Sequence, residues 1–195
     1  MVTKARCPIC SKISPLTYVN VDDEMPSTIK KLQKLISYKS KLPGLEWYGF
    51  DVCPECGAYY YHETEISYTG SQMNDDHNIY RLNPIEMEML KPLLDLIRHD
   101  PENDDLNQTL DRLTLHLADM PYRGYCPRDV VVATIQTLSD EMSDRDIPAL
   151  LVNSIKSFVL QDPKNCKEVL DIINNSYFNI NKDAQGVQEV IRLCN

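Results

Sequence analysis

The stretch YGFDVCPECGAYYYHETE, residues 48–65, sets a CPECG knuckle between two segments rich in aromatic residues. GLEWYGFDV (44–52) reads as a strand leading into the knuckle, and AYYYHETEISYTG (58–70) as a strand leaving it. A CxxC pair supplies two thiolates, and a structural metal needs four ligands. The second pair is CPIC at 7–10, with 42 residues between Cys10 and Cys53. Two residues between thiolates let the chain fold tightly, with both sulfurs on one side and backbone N–H groups turned toward them. Two such knuckles close a tetrahedral shell of Cys7, Cys10, Cys53 and Cys56, which suits Zn2+. Pro8 and Pro54 stiffen the turns, and Gly57 supplies the positive φ that a knuckle needs.

CPIC and CPECG, each beside a predicted strand, resemble the zinc-ribbon family over residues 1–83. The resemblance implies a small β-hairpin domain organised by one structural zinc. The long gap departs from the usual ribbon. It contains PSTIKKLQKLISYKSKL, where Ser27 as N-cap and Ile29, Leu32, Leu35 and Ile36 at helical spacing predict an inserted helix over 27–42. The same four thiolates could hold an iron–sulfur cluster. Two disulfides would need an oxidising compartment. A thioredoxin-like pair would need a CxxC opening a helix after a βαβ pattern, and both pairs here flank strands.

The chain changes character at Asn83-Pro84. Residues 84–195 read as six helices, at roughly 84–99, 103–119, 127–142, 146–161, 164–175 and 182–194, punctuated by Pro121, Pro127 and Pro163. Paired, they begin about 40 residues apart, within the range of helical-hairpin arrays. DIPALLVNSIKSFVLQDP (146–163) resembles the helix pattern of HEAT repeats, in one unit of three; an orthogonal bundle is the other reading. The expected fold is α+β: a zinc ribbon with an inserted helix over 1–83, packed on an all-helical part over 84–195.

The 195 residues carry 20 Lys and Arg against 29 Asp and Glu, a net charge of −9. That balance weighs against bulk nucleic-acid binding, which draws affinity from phosphate neutralisation, and favours a basic partner. No apolar run approaches the roughly 20 residues of a membrane span, and MVTKARCPICSK lacks the apolar core of a signal peptide. A cytoplasmic protein is expected. Cys126, Cys166 and Cys194 have no partner at knuckle spacing and read as buried, inert thiols.

HETE at 62–65 is not HExxH. A strand puts His62 and Thr64 on one face and Glu63 and Glu65 on the other, so these residues read as a solvated strand face. QMNDDHN (72–78) reads as a turn holding His77, and IYRLN (79–83) as the returning strand. Trp47, Tyr59, Tyr60 and Tyr61 would form the ribbon's core or, in part, a partner-binding surface. Stacking of bases on the tyrosines, with the lysines of 30–41, is the nucleic-acid alternative. YRGYCPRD (122–129) offers Arg123 and Arg128 to a carboxylate or phosphate, or to a helix cap. No Walker loop, GxGxxG, GxSxG or kinase signature is present. The expected function is therefore non-enzymatic: a zinc-organised interaction module, in one version an immunity or inhibitor protein masking a basic toxin. A nucleic-acid-associated regulator and a metal-dependent or thiol redox enzyme are the alternatives.

Overall fold

The computed structural model describes residues 7–20, 23–42, 45–69, 72–118, 128–140 and 146–195. The chain divides into two compact units, Met1–Leu82 and Asn83–Asn195. The architecture is α+β.

The first unit is a five-stranded antiparallel sheet of order β1-β5-β4-β3-β2. The strands are β1 (Leu16–Val19), β2 (Gln33–Lys39), β3 (Leu45–Val52), β4 (Tyr59–Thr69) and β5 (Gln72–Arg81). β2 to β5 follow one another as a meander, and β1 adds to the free side of β5 with Leu16 opposite Tyr80.

The helix expected over 27–42 is not formed. A single 3-10 turn covers Ile29–Lys31, Leu32 leaves it extended, and Gln33–Lys39 is strand β2. The helical spacing of Ile29, Leu32, Leu35 and Ile36 coexists with an alternation, Ile36 and Tyr38, that meets Phe50 and Tyr48 across β3. Pairing with β3 satisfies a whole strand of backbone groups and lays Tyr38 against Tyr48, ring centroids 5.8 Å apart. A helix could not serve that open edge. QMNDDHN is likewise not a turn: β5 starts at Gln72, opposite Thr69, and runs through His77. Its Asn and Asp residues disguise an alternation that Ile79 and Tyr80 continue.

The strand period sorts the sheet into two faces. On one lie Val19, Tyr60 and Ile79, buried with Ile9, Cys10, Ile13, Ile29 and Cys53 in one apolar cluster. On the other lie Tyr48, Phe50, Tyr59, Tyr61 and Glu63, all buried. Tyr61 there packs edge-on to Phe50 at 5.7 Å and stacks on Tyr80 at 6.0 Å. HETE is thus no solvated face, since Glu63 is 1% exposed.

Gly49 is required where β2 crosses β3. A Cβ there would lie 2.1 Å from the Ile36 carbonyl oxygen and 2.7 Å from Ser37 Cα, beside the register shift between Lys34 and Ile36. Because backbone rather than a side-chain tip occupies that space, Gly49→Ala is expected to lower unfolding free energy by about 1–3 kcal/mol in a denaturant titration.

The second unit contains α1 (Pro84–His99), α2 (Asp104–Ala118), α3 (Asp129–Ser139), α4 (Asp146–Gln161), α5 (Lys164–Asn174) and α6 (Gln185–Cys194). These coincide with the expected helices to within a few residues at each end. Asn83 caps α1, accepting from the N–H groups of Ile85 and Glu86, while Glu86 accepts from the Asn83 N–H. α3, DVVVATIQTLS, is buried nearly all round and touches each of the other five helices. Its Thr134 and Thr137 hydroxyls donate to the carbonyls of Val130 and Ala133, so the polar groups disappear into the helix itself. Among the described residues no helix is long and apolar enough to cross a membrane.

Burial, with the neighbouring Glu65 charge, pushes the Glu63 carboxyl up from 4.5 to about 7. One of its oxygens accepts from Tyr80 Oη and Asn78 Nδ2, each at 3.3 Å, and the other has no hydrogen-bond partner. The folded chain therefore holds this proton more tightly than the unfolded chain. That contribution to stability is complete below pH 4.5 and is lost as pH rises through about 7. Glu63→Gln is expected to be more stable than wild type at pH 8, by up to about 3 kcal/mol, with the difference vanishing toward pH 4.5; thermal unfolding at a series of pH values reads this directly. Glu86 is raised in the same direction, so the comparison with the variant isolates Glu63.

Candidate metal centre

Both knuckles are built by local backbone bonds. Val52 ends β3 opposite Tyr59, and Cys53–Ala58 forms the tip of the β3–β4 hairpin. The Cys53 N–H donates to the Ala58 carbonyl at 2.8 Å and the Gly57 N–H to the Cys53 carbonyl at 2.9 Å, with Gly57 at φ +69°. In the first knuckle the Ser11 N–H donates to the Cys7 carbonyl at 3.0 Å, and the chain continues as a 3-10 turn over Cys10–Lys12. Pairing of β1 with β5, and an Arg81 N–H bond to the Pro15 carbonyl, bring that knuckle to the hairpin tip.

The four Sγ atoms of Cys7, Cys10, Cys53 and Cys56 lie within 4.8 Å of one another. Cys7 Sγ is 3.7 Å from Cys53 Sγ, and Cys10 Sγ is 3.4 Å from Cys56 Sγ. Thiolates 2.3 Å from a tetrahedral zinc stand about 3.8 Å apart, so the sulfurs occupy nearly the corners of such a shell. The Cys10 N–H donates to Cys7 Sγ at 3.4 Å.

The protonation chemistry also asks for a cation. Burial pushes the Cys10 thiol up to about 12 and raises Cys56, while the Cys10 backbone N–H draws Cys7 down to about 7. Cys10 and Cys56 thus resist ionisation while Cys7 favours it; a metal that replaces thiol protons removes the conflict. The Tyr60 hydroxyl is buried beside Cys10. A thiolate at Cys10 would give it an acceptor. The donor set therefore fits a thiophilic ion, and all four positions are filled by protein.

The remaining candidates are differently placed. Tyr59, Tyr60 and Tyr61 are buried, at 0%, 0% and 5% exposure, and pack the two faces of the sheet. Trp47 is 42% exposed, on the same face as Tyr60. Arg128 precedes α3 and is engaged inside the helical unit: it pairs with Glu168, donates to Asn165 Oδ1 at 3.4 Å, and stands 5.5 Å over the Phe158 ring. Arg123 and Cys126 lie outside the described residues. Cys166 and Cys194 are half-buried rather than buried; they neighbour each other, and burial raises the Cys194 thiol to about 11.

Sequence reading missed Asp51, His62 and His77 as a connected group. They join three strands on the knuckle face, with Thr64 beside them. The signal available was the alternation continuing backward from Ile79 to His77, hidden by the turn-forming Asn and Asp before it.

Comparison with protein-family models, with curated proteins and with solved structures finds no match to this chain.

Elemental mass spectrometry of the purified protein is expected to find about one zinc per chain, and none in Cys53→Ser. Loss of the metal should also lower the thermal stability of the Met1–Leu82 unit, followed by near-ultraviolet circular dichroism of its tyrosines.

Proposed function

We propose that the protein is a non-enzymatic interaction module in which one Zn2+, held by Cys7, Cys10, Cys53 and Cys56, is structural. The observation that carries this reading is the closed set of four Sγ atoms within 4.8 Å. A shell completed by protein ligands leaves no position for a substrate, which is the mark of a structural rather than a catalytic ion. In this reading the ribbon-like first unit is stapled by the metal, and the helical unit meets a protein partner. The charge supports a basic partner: residues 83–195 contain 11 Lys and Arg against 19 Asp and Glu. Inhibition of a basic toxin is one role of that kind. Burial of Tyr59, Tyr60 and Tyr61 counts against the nucleic-acid alternative, because bases cannot stack on rings enclosed in a core.

The test is affinity capture with the tagged full chain at low ionic strength, followed by a salt gradient. A basic polypeptide released as salt rises is the expected result. Retention of RNA or DNA in its place would overturn the reading.

A further inference from the structure

The face of the sheet that carries the knuckles brings Asp51 of β3, His62 and Thr64 of β4, and His77 of β5 together. The register sets His62 opposite Gly49 on one side, and Thr64 opposite His77 on the other. His62 Nδ1 is 2.9 Å from Asp51 Oδ2. His62 Nε2 is 3.2 Å from His77 Nδ1, and Thr64 Oγ1 is 3.3 Å from that same His77 nitrogen.

An ionised carboxylate only accepts, so Asp51 takes the hydrogen bond from His62 Nδ1–H. The other ring nitrogen of His62, Nε2, then faces His77 Nδ1. Two imidazole nitrogens facing each other can share one proton or bind one cation between them. Nitrogen ligands at 2.0–2.1 Å from a tetrahedral ion stand about 3.3–3.4 Å apart, and the observed separation is 3.2 Å. A carboxylate behind a ligating imidazole is the arrangement that fixes its tautomer and raises its basicity in metal sites.

A small pocket adjoins His62 on its β3 side, and His77 does not line it. A small cavity of about 40 Å³ is lined by Trp47, Gly49, Asp51, His62 and Thr64, with Lys34 on its far wall. That volume holds two or three waters. Glu63 falls on the opposite face and is not a ligand.

We propose that His62 Nε2 and His77 Nδ1 form a second metal site, distinct from the four cysteines, that takes a borderline divalent ion such as Zn2+. Asp51 orients His62, the Thr64 hydroxyl lies within reach of a metal-bound water, and water completes the shell. Imidazole donors suit zinc, copper and nickel rather than magnesium or calcium. With two protein ligands the ion is exchangeable, unlike one enclosed by four thiolates.

The test is calorimetric titration of ZnCl2 into the zinc-loaded full chain after dialysis against a weak chelator, so that only the tightly held ion remains. A second equivalent of Zn2+ is expected in wild type and none in His62→Ala or His77→Ala. Asp51→Asn should weaken that equivalent 10- to 100-fold. Each variant's retained tight zinc, by elemental mass spectrometry, shows that it has folded. Co2+ added at the second site should give weak visible bands without a thiolate charge-transfer band. Absence of a second equivalent in wild type, or its survival in the double histidine variant, would overturn the proposal and leave a hydrogen-bonded Asp51–His62–His77 chain.

Discussion

Four sulfurs from two distant knuckles converge on one point, and the first unit is arranged around that convergence. Cys7 and Cys53, like Cys10 and Cys56, are 46 positions apart, yet their sulfurs lie 3.7 Å and 3.4 Å from each other. Closing a loop of that length costs chain entropy that grows only slowly with length, and a metal bound by both ends offsets it. The loop encloses β1, β2 and β3, so a metal there would tie together a loop that holds both edge strands of the sheet. The cluster of Ile9, Ile13, Val19, Ile29, Tyr60 and Ile79 grows outward from Cys10 and Cys53. A metal bound at this point would add to the stability of that core, since its binding free energy is folding free energy.

The sheet's polar interior follows from the same geometry. Alternation along β4 sends Tyr60, His62 and Thr64 to the knuckle face and Tyr59, Tyr61 and Glu63 to the other. Each face thus carries a titratable group, one buried and one half-buried, and the two are accommodated differently. Glu63 sits among tyrosine rings with one oxygen bonded and the other orphaned, so its proton is held. His62 is satisfied at both ring nitrogens, by Asp51 and His77. A half-satisfied group destabilises the charged state, while a fully satisfied chain fixes ring orientation. That difference is why the histidine pair, and not Glu63, has the character of a ligand site.

Much of the molecule was legible from residues alone, for identifiable reasons. The knuckles announce themselves because CxxC spacing has one dominant physical use once disulfides are set aside. The helices of the second unit announce themselves because their apolar stripes are long and their ends carry Pro84, Asp104 and Asp129. The segment 27–42 misled because Ile29, Leu32, Leu35 and Ile36 fit a helical period while Ile36 and Tyr38 fit a strand. Local spacing cannot weigh the open edge of β3 that a strand satisfies. Residues 72–77 misled because Asn and Asp favour turns until a long cross-strand register overrides them.

The spacing of the four cysteines, the change of character near Asn83 and the helices from Pro84 onward were thus determined by the sequence by itself, because each rests on local spacing. Tertiary structure alone decided which strands pair, that Tyr59 to Tyr61 are buried, and that Asp51, His62 and His77 meet. Those depend on register between segments 11 to 15 positions apart, in which a slip of one residue would send His62 to the opposite face.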